Sequence, residues 1–175
     1  ALLILAHQGL VSFEPQKGKY VRSMSAREIL DSYAVAGILE GAAVAQSLPL
    51  WTDRERAAFD AVVRRLDEEV NDDVSPDALA EIDESFHMTL LSACDNERLV
   101  DLARTSCSSL AKFLYYTYWR TLFTPRDFRD RHDRIVEAVH SGDPVRIETT
   151  LRRHYEEVGH RLSERVRQAF PAEKS

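Results

Sequence analysis

Hydrophobic positions change their period near residue 24. Before it, Leu10–Phe13 and Lys19–Val21 are two short β-prone runs either side of Pro15, Gln16, Lys17 and Gly18. That pattern predicts a small β-hairpin. Ala1–His7 reads as the end of a helix stopped by Gly9. From Met24 onward apolar residues recur three and four apart, the helical period.

Capping signals divide this stretch into about six helices. Ser25 with Glu28 opens the first, which closes near Pro49, and Thr52 with Glu55 opens a second to about Val70. Ser75-Pro76 opens a third to about Cys94, with a capping hydroxyl followed by proline in the first turn. Asp95 is placed to cap a fourth, from Asn96 to about Thr121. Thr124-Pro125 and Asp143-Pro144 open the fifth, to near Gly142, and the sixth, to about Ala169. Short connections favour antiparallel neighbours. The expected fold class is all-α, an antiparallel bundle of about six helices preceded by the hairpin. The expected division is 1–22, a linker at 23–26, a helical domain at 27–170 and a tail at 171–175.

Two segments break the amphipathic rule. Between Tyr33 and Leu50 only Glu40, Gln46 and Ser47 interrupt an apolar run, so that helix is expected to be central or to meet a second subunit. Phe113–Trp119 carries large groups all round its helix, which points to a pocket or interface.

The 175 residues are 44% hydrophobic, enough for one sizeable core. A net charge of −6 makes the bulk surface a poor partner for nucleic acid. Cys94 and Cys107 form neither a disulfide framework nor a CxxC site, which fits a reducing cytoplasm. No apolar run is expected to reach the length of a membrane span.

Candidate chemistry lies in three of the helices. At 100° per residue, Leu79, Phe86, Leu90 and Cys94 fall within about 60° of Asp83, and His87 about 40° away on the same side. A carboxylate and an imidazole turned into a core need compensation. His132 falls at the edge of the stripe formed by Phe128, Ile135, Val136 and Val139, and His154 beside Ile147, Leu151 and Val158. His140 and His160 point outward. Asp83, His87, His132 and His154 suit one borderline divalent ion, such as zinc, nickel, cobalt or manganese. Its affinity is expected to fall below about pH 6, because imidazoles must be neutral to ligate. The bland alternative is an Asp–His hydrogen bond among satisfied core residues.

These stretches also carry a resemblance. The run Gly9–Val21 is similar to the wing of a winged helix-turn-helix. Asp83-Glu-Ser-Phe-His87 with Leu90, Ala93 and Asn96, and Arg131-His132 with Asp133, Arg134, Ile135, Ala138, Gly142-Asp143 and His154, resemble the FCD effector domain. The chain therefore resembles the FadR-like branch of the GntR family of bacterial transcription regulators. The resemblance implies the same four residues as metal ligands, a small carboxylate effector, a homodimer, and a repressor whose affinity for operator DNA responds to the effector. It casts residues 1–22 as the end of a recognition helix plus the wing, with Lys17 and Lys19 against DNA. The polar groups expected to hold the effector's far end are Asn96, Arg104, Ser108, Tyr115 and Tyr116. One departure stands out: Ala36 occupies a position where the family often has arginine. Two other readings fit the residues, a helical metalloenzyme with a His3Asp site and a metal-free dimerisation bundle. No general base sits beside the ligands in sequence, so no enzyme is expected.

Overall fold

The computed structural model describes residues 11–14, 18–21, 23–105, 112 and 114–170. The hairpin is present as β1 (Val11–Glu14) and β2 (Gly18–Val21), antiparallel, with Val11 opposite Val21 and Glu14 opposite Gly18. Gly18 has φ 100°, a left-handed backbone that a side chain would strain. The expected helix end at Ala1–His7 lies outside the described residues, as do Lys17 and Ser108. Lys19 falls within β2.

The helices are α1 (Ala26–Ser47), α2 (Asp53–Glu69), α3 (Pro76–Ser92), α4 (Glu97–Thr105), α5 (Tyr116–Trp119), α6 (Pro125–His140) and α7 (Pro144–Ala169), with a 3-10 turn at Leu48–Leu50. The predicted caps form. Ser25/Glu28, Thr52/Glu55 and Thr124/Asp127 are reciprocal capping boxes, and Ser75 and Asp143 cap α3 and α7 ahead of Pro76 and Pro144. At α4 the capping side chain is Asn96, not Asp95: its Oδ1 accepts from Leu99 N at 3.1 Å.

The single fourth helix expected over 96–121 is corrected at Tyr115: Lys112 and Leu114 before it are helical, and a break at Tyr115 sets off α5. Tyr115 leaves the helical region at φ −118°, ψ 28°. A straight helix would spread the aromatic run around its axis. The turn instead sends Tyr115, Trp119 and Leu122 into one cluster with Met24, Ile29, Tyr33, Val158 and Leu162.

The first helix is central, as its composition implied. It packs along α7 through glycines: a Cβ on Gly37 would lie 3.0 Å from the Arg152 Cα, and one on Gly41 3.1 Å from the Glu148 carbonyl oxygen. Contrary to expectation, Ala26–Leu50 is long and apolar enough to cross a membrane by length and composition. Half of its most apolar window is buried inside the bundle, however, and Glu40 within it is paired to a histidine. Val35 and Ile38 remain exposed on its outer face. The main core joins Val44, Leu48, Phe59, Phe86, Leu90, Ile135 and Leu151, and so draws α3, α6 and α7 together.

Candidate metal centre

That convergence puts three histidines and an aspartate side by side. Asp83 and His87 stand one turn apart on α3, His132 on α6 and His154 on α7. Each offers one ligand atom, and all four atoms lie within 4.8 Å of one another. The histidine ring centroids are 5.0, 5.1 and 5.8 Å apart. His140 and His160 are exposed, as the helical phase predicted.

Partners on the far side set each imidazole. His132 Nδ1 donates to the Phe128 carbonyl at 2.8 Å, which leaves the lone pair on Nε2. That Nε2 is buried and makes no hydrogen bond, although Asp83 Oδ1 is 3.4 Å away. His154 Nδ1 is also buried without a partner. His87 Nδ1 donates to Glu40 Oε1 at 2.5 Å, and its Nε2 faces Asp83 Oδ1 at 3.8 Å. Tyr155 donates to the other oxygen of Glu40 at 2.5 Å. Hydrogen bonds of this kind to the second ring nitrogen orient histidine ligands and raise their basicity.

The charge states of Asp83, His132 and His154 suit coordination. Burial is the largest influence on Asp83 and opposes ionisation, but the Lys112 ammonium, with His132 and His87 beside it, holds the carboxyl well below its usual range. Burial pushes His132 down, and it pushes His154 well down with help from the Arg131 charge, so both are neutral bases at pH 7. Burial also acts against protonation of His87, yet the charge and hydrogen bond of Glu40 prevail and raise it. Two unpaired nitrogens, an ionised carboxylate and two pre-oriented rings fit a divalent metal ion by donor set and by the buried atoms they leave unsatisfied.

A cavity of about 930 Å³ opens over the ligands. Its wall includes Asp83, His87, His154, Glu40, Arg104, Lys112 and Tyr116. Of the polar groups singled out in the sequence, Arg104 and Tyr116 line this cavity, the Tyr116 hydroxyl donating to Asp77 and Arg104 Nε lying 3.3 Å from the Met88 sulfur. Asn96 is not on this wall and is occupied as a cap. Tyr115 is not on it either; it is buried, with its hydroxyl bonded to Met24. Ala36 is buried and offers no charge, while Lys112 and Arg131 supply cations on the wall.

Sequence reasoning missed Glu40, Lys112, Arg131 and Tyr155. Glu40 had a signal, as the lone carboxylate in the apolar run from Tyr33 to Leu50. Lys112 is marked only as the sole charge between Thr105 and Arg120. Arg131 is 3% exposed although it belongs to a charge-rich helix; its Nε reaches Glu157 at 3.1 Å and a terminal nitrogen reaches the His154 carbonyl at 2.8 Å.

Comparison with known proteins agrees with this architecture. The FCD domain family matches residues 31–157. The chain is 26% identical over 160 residues to the HTH-type transcriptional repressor GlaR of Escherichia coli (strain K12), covering 88% of this chain and 73% of that protein. It is 28% identical over 121 residues to the Nta operon transcriptional regulator of Aminobacter aminovorans, covering 69% of this chain and 56% of that one. A solved GntR-family regulator from Pseudomonas syringae pv. tomato str. DC3000 shares the fold, with a TM-score of 0.67 at 20% identity over 96% of this chain and 69% of that one. The chain belongs to the FCD-domain family, within the FadR-like transcription regulators of the GntR type. These relatives are regulators and not enzymes.

Proposed function

We propose that this chain is the sensing part of a cytoplasmic bacterial transcription regulator. In this reading Asp83, His87, His132 and His154 hold one divalent transition metal ion, and a carboxylate effector entering the cavity changes the affinity of the full-length protein for operator DNA. The observation that carries the reading is the pair of buried, unpartnered nitrogens, His132 Nε2 and His154 Nδ1, within a four-ligand cluster. Three imidazoles and a carboxylate favour zinc or nickel, with cobalt and manganese next. When bound, such an ion supplies open positions that accept a carboxylate oxygen. Glu40 and the Phe128 carbonyl hold two of the rings in register. Lys112 lies beside Asp83, where it attracts an acid to the ligand end of the cavity, and Arg104 and Tyr116 stand on the wall.

The regulator binds DNA through a winged helix of which residues 1–22 are the end, with Lys17 and Lys19 flanking the tip of the wing. It is a homodimer and, like the similar GlaR, a repressor. Residues 23–26 carry the signal between the two parts. Tyr116 lines the cavity, and its neighbour Tyr115 grips Met24 in that linker. An effector acts only if it binds the two states of this coupling with different affinity.

Elemental analysis of untagged protein tests the reading. About one equivalent of transition metal per chain is expected, with thermal stabilisation on adding metal to stripped protein. Less than about a tenth of an equivalent and no stabilisation would overturn it. One arrangement favours a metal-free bundle instead: Asp83 is paired with Lys112 at 2.8 Å and His87 with Glu40, so two of the four ligands have partners already. The same measurement decides between the two.

A further inference from the structure

The walls of the cavity say more about its occupant than the ligands do. This step rests on the reading above, in which an acid enters over Asp83 and the three histidines. We infer that the acid is a monocarboxylate with an apolar, ring-sized body, and not a polycarboxylate.

The first argument is where charge sits. Among the described residues the wall carries three carboxylates, Glu40, Asp83 and Glu84, against three cations, Arg104, Lys112 and Arg131. Most of these are engaged. Glu40 holds His87 and Tyr155, and Asp83 holds Lys112. Arg131 is bonded to Glu157 and to the His154 carbonyl, and its guanidinium lies 3.9 Å from the centre of the Phe123 ring. Among the described residues Lys112 and Arg131 are the cations beside the ligand cluster; Arg131 is taken by Glu157 and the His154 carbonyl, and when Asp83 turns to a metal ion Lys112 is released to a single incoming carboxylate. For a second carboxylate the remaining cation on the wall, among the described residues, is Arg104, an exposed residue that shares the wall with Glu84. An anion held in apolar surroundings without a partner is disfavoured by desolvation.

The second argument is shape and chemistry. The apolar and aromatic part of the wall includes Tyr33, Leu91, Trp119, Phe123 and Val158. The Lys112 ammonium lies 3.9 Å from the centre of the Trp119 ring, so charge and aromatic face adjoin. About 930 Å³ belongs to the size range of sites for drug-sized ligands and leaves most of the space empty around an acetate-sized acid. An apolar body fills that space and removes the wall from water. An acid end against Lys112 and a hydrocarbon ring against Trp119, Leu91 and Val158 satisfy both halves of the cavity together.

The test is calorimetric titration of the zinc-loaded full chain with phenylacetate, acetate, glutarate and citrate. Phenylacetate is expected to bind at least about tenfold tighter than each of the others. Trp119→Ala is expected to remove that advantage, bringing phenylacetate to within about threefold of acetate, while leaving zinc content unchanged. Should that variant fail to fold, the four-acid comparison on the unaltered chain still decides. Glutarate or citrate binding as tightly as phenylacetate, or phenylacetate no tighter than acetate, overturns the inference and leaves the metal sensor standing. Zinc binding without binding of any acid overturns it as well. Failure to take up zinc or any other transition metal removes the sensor reading and this inference together.

Discussion

The Tyr115 hydroxyl holds Met24 by both of its backbone polar groups, accepting from the amide nitrogen at 2.8 Å and donating to the carbonyl oxygen at 2.7 Å. These residues are 91 positions apart, and both are buried. Met24 lies between the hairpin and α1, while Tyr115 is bonded in sequence to Tyr116 on the cavity wall. Tyr115→Phe removes both hydrogen bonds and keeps the ring. The expected cost is about 1–3 kcal/mol in thermal unfolding, the range for leaving buried polar groups unsatisfied. Metal content and acid affinity are expected to stay unchanged, while acid-dependent release of DNA by the full-length protein is blunted. Equal loss of acid binding would place Tyr115 in the effector site and not in the coupling.

Glu40 gives a sharper test of the metal centre than the ligands themselves. Its carboxylate is buried and holds His87 Nδ1, but it is not one of the four converging groups. Removing such a supporting group lowers metal affinity by about ten- to a hundredfold without abolishing it. Glu40→Gln is therefore expected to need more metal to reach the same occupancy in a zinc titration. His132→Ala and His154→Ala are expected to abolish occupancy, and the exposed His160→Ala to leave it intact. A purely structural role for Glu40 would lower the melting temperature and leave the titration midpoint where it was.

Much of this arrangement was legible because local rules decide it. A capping hydroxyl followed by an acid three residues later fixes where α1, α2 and α6 begin. Helical phase alone sorted His87, His132 and His154 from His140 and His160. What was not legible depends on packing between distant segments. Glu40 stood out in its apolar run, but its partner is 47 residues away. Nothing in the sequence sets Lys112 and Arg131 apart from surface cations, and only the fold turns them toward Asp83 and Glu157. The break at Tyr115 has no proline or glycine to announce it. It follows from where the aromatic rings are buried.

The contact between α1 and α7 makes its own demand. A Cβ on Gly159 would stand 2.8 Å from the Tyr33 Cβ, nearer than side chains approach, and the Tyr33 Cβ cannot swing away as a flexible tip does. Gly159→Ala is expected to destabilise by about 1–3 kcal/mol despite the better helix propensity of alanine, because overpacking must push the helices apart. A melting temperature equal to or above that of the unaltered chain would show that α1 yields easily. Since Glu40 on α1 reaches across to Tyr155 on α7, the same substitution is expected to weaken metal binding.

The start of α6 sets a pH dependence. Thr124 caps the helix and Asp127 answers from the third position. The Thr124 side-chain hydrogen bond, then its backbone amide, hold the Asp127 carboxyl below its usual value. A carboxylate depressed in the folded state contributes stability that is fully present above its unfolded pKa, about 3.9, and is lost as pH falls through the folded value. Asp127→Asn removes the charge and so the dependence. In metal-free protein the melting temperature of Asp127→Asn is expected to lie below that of the unaltered chain at pH 7, and the gap to close as pH falls below about 4. One turn on, the Phe128 carbonyl holds His132 Nδ1, so a frayed first turn also loosens a member of the candidate metal centre. A gap that stays constant between pH 7 and pH 3 would mean that the cap acts through shape and not through charge.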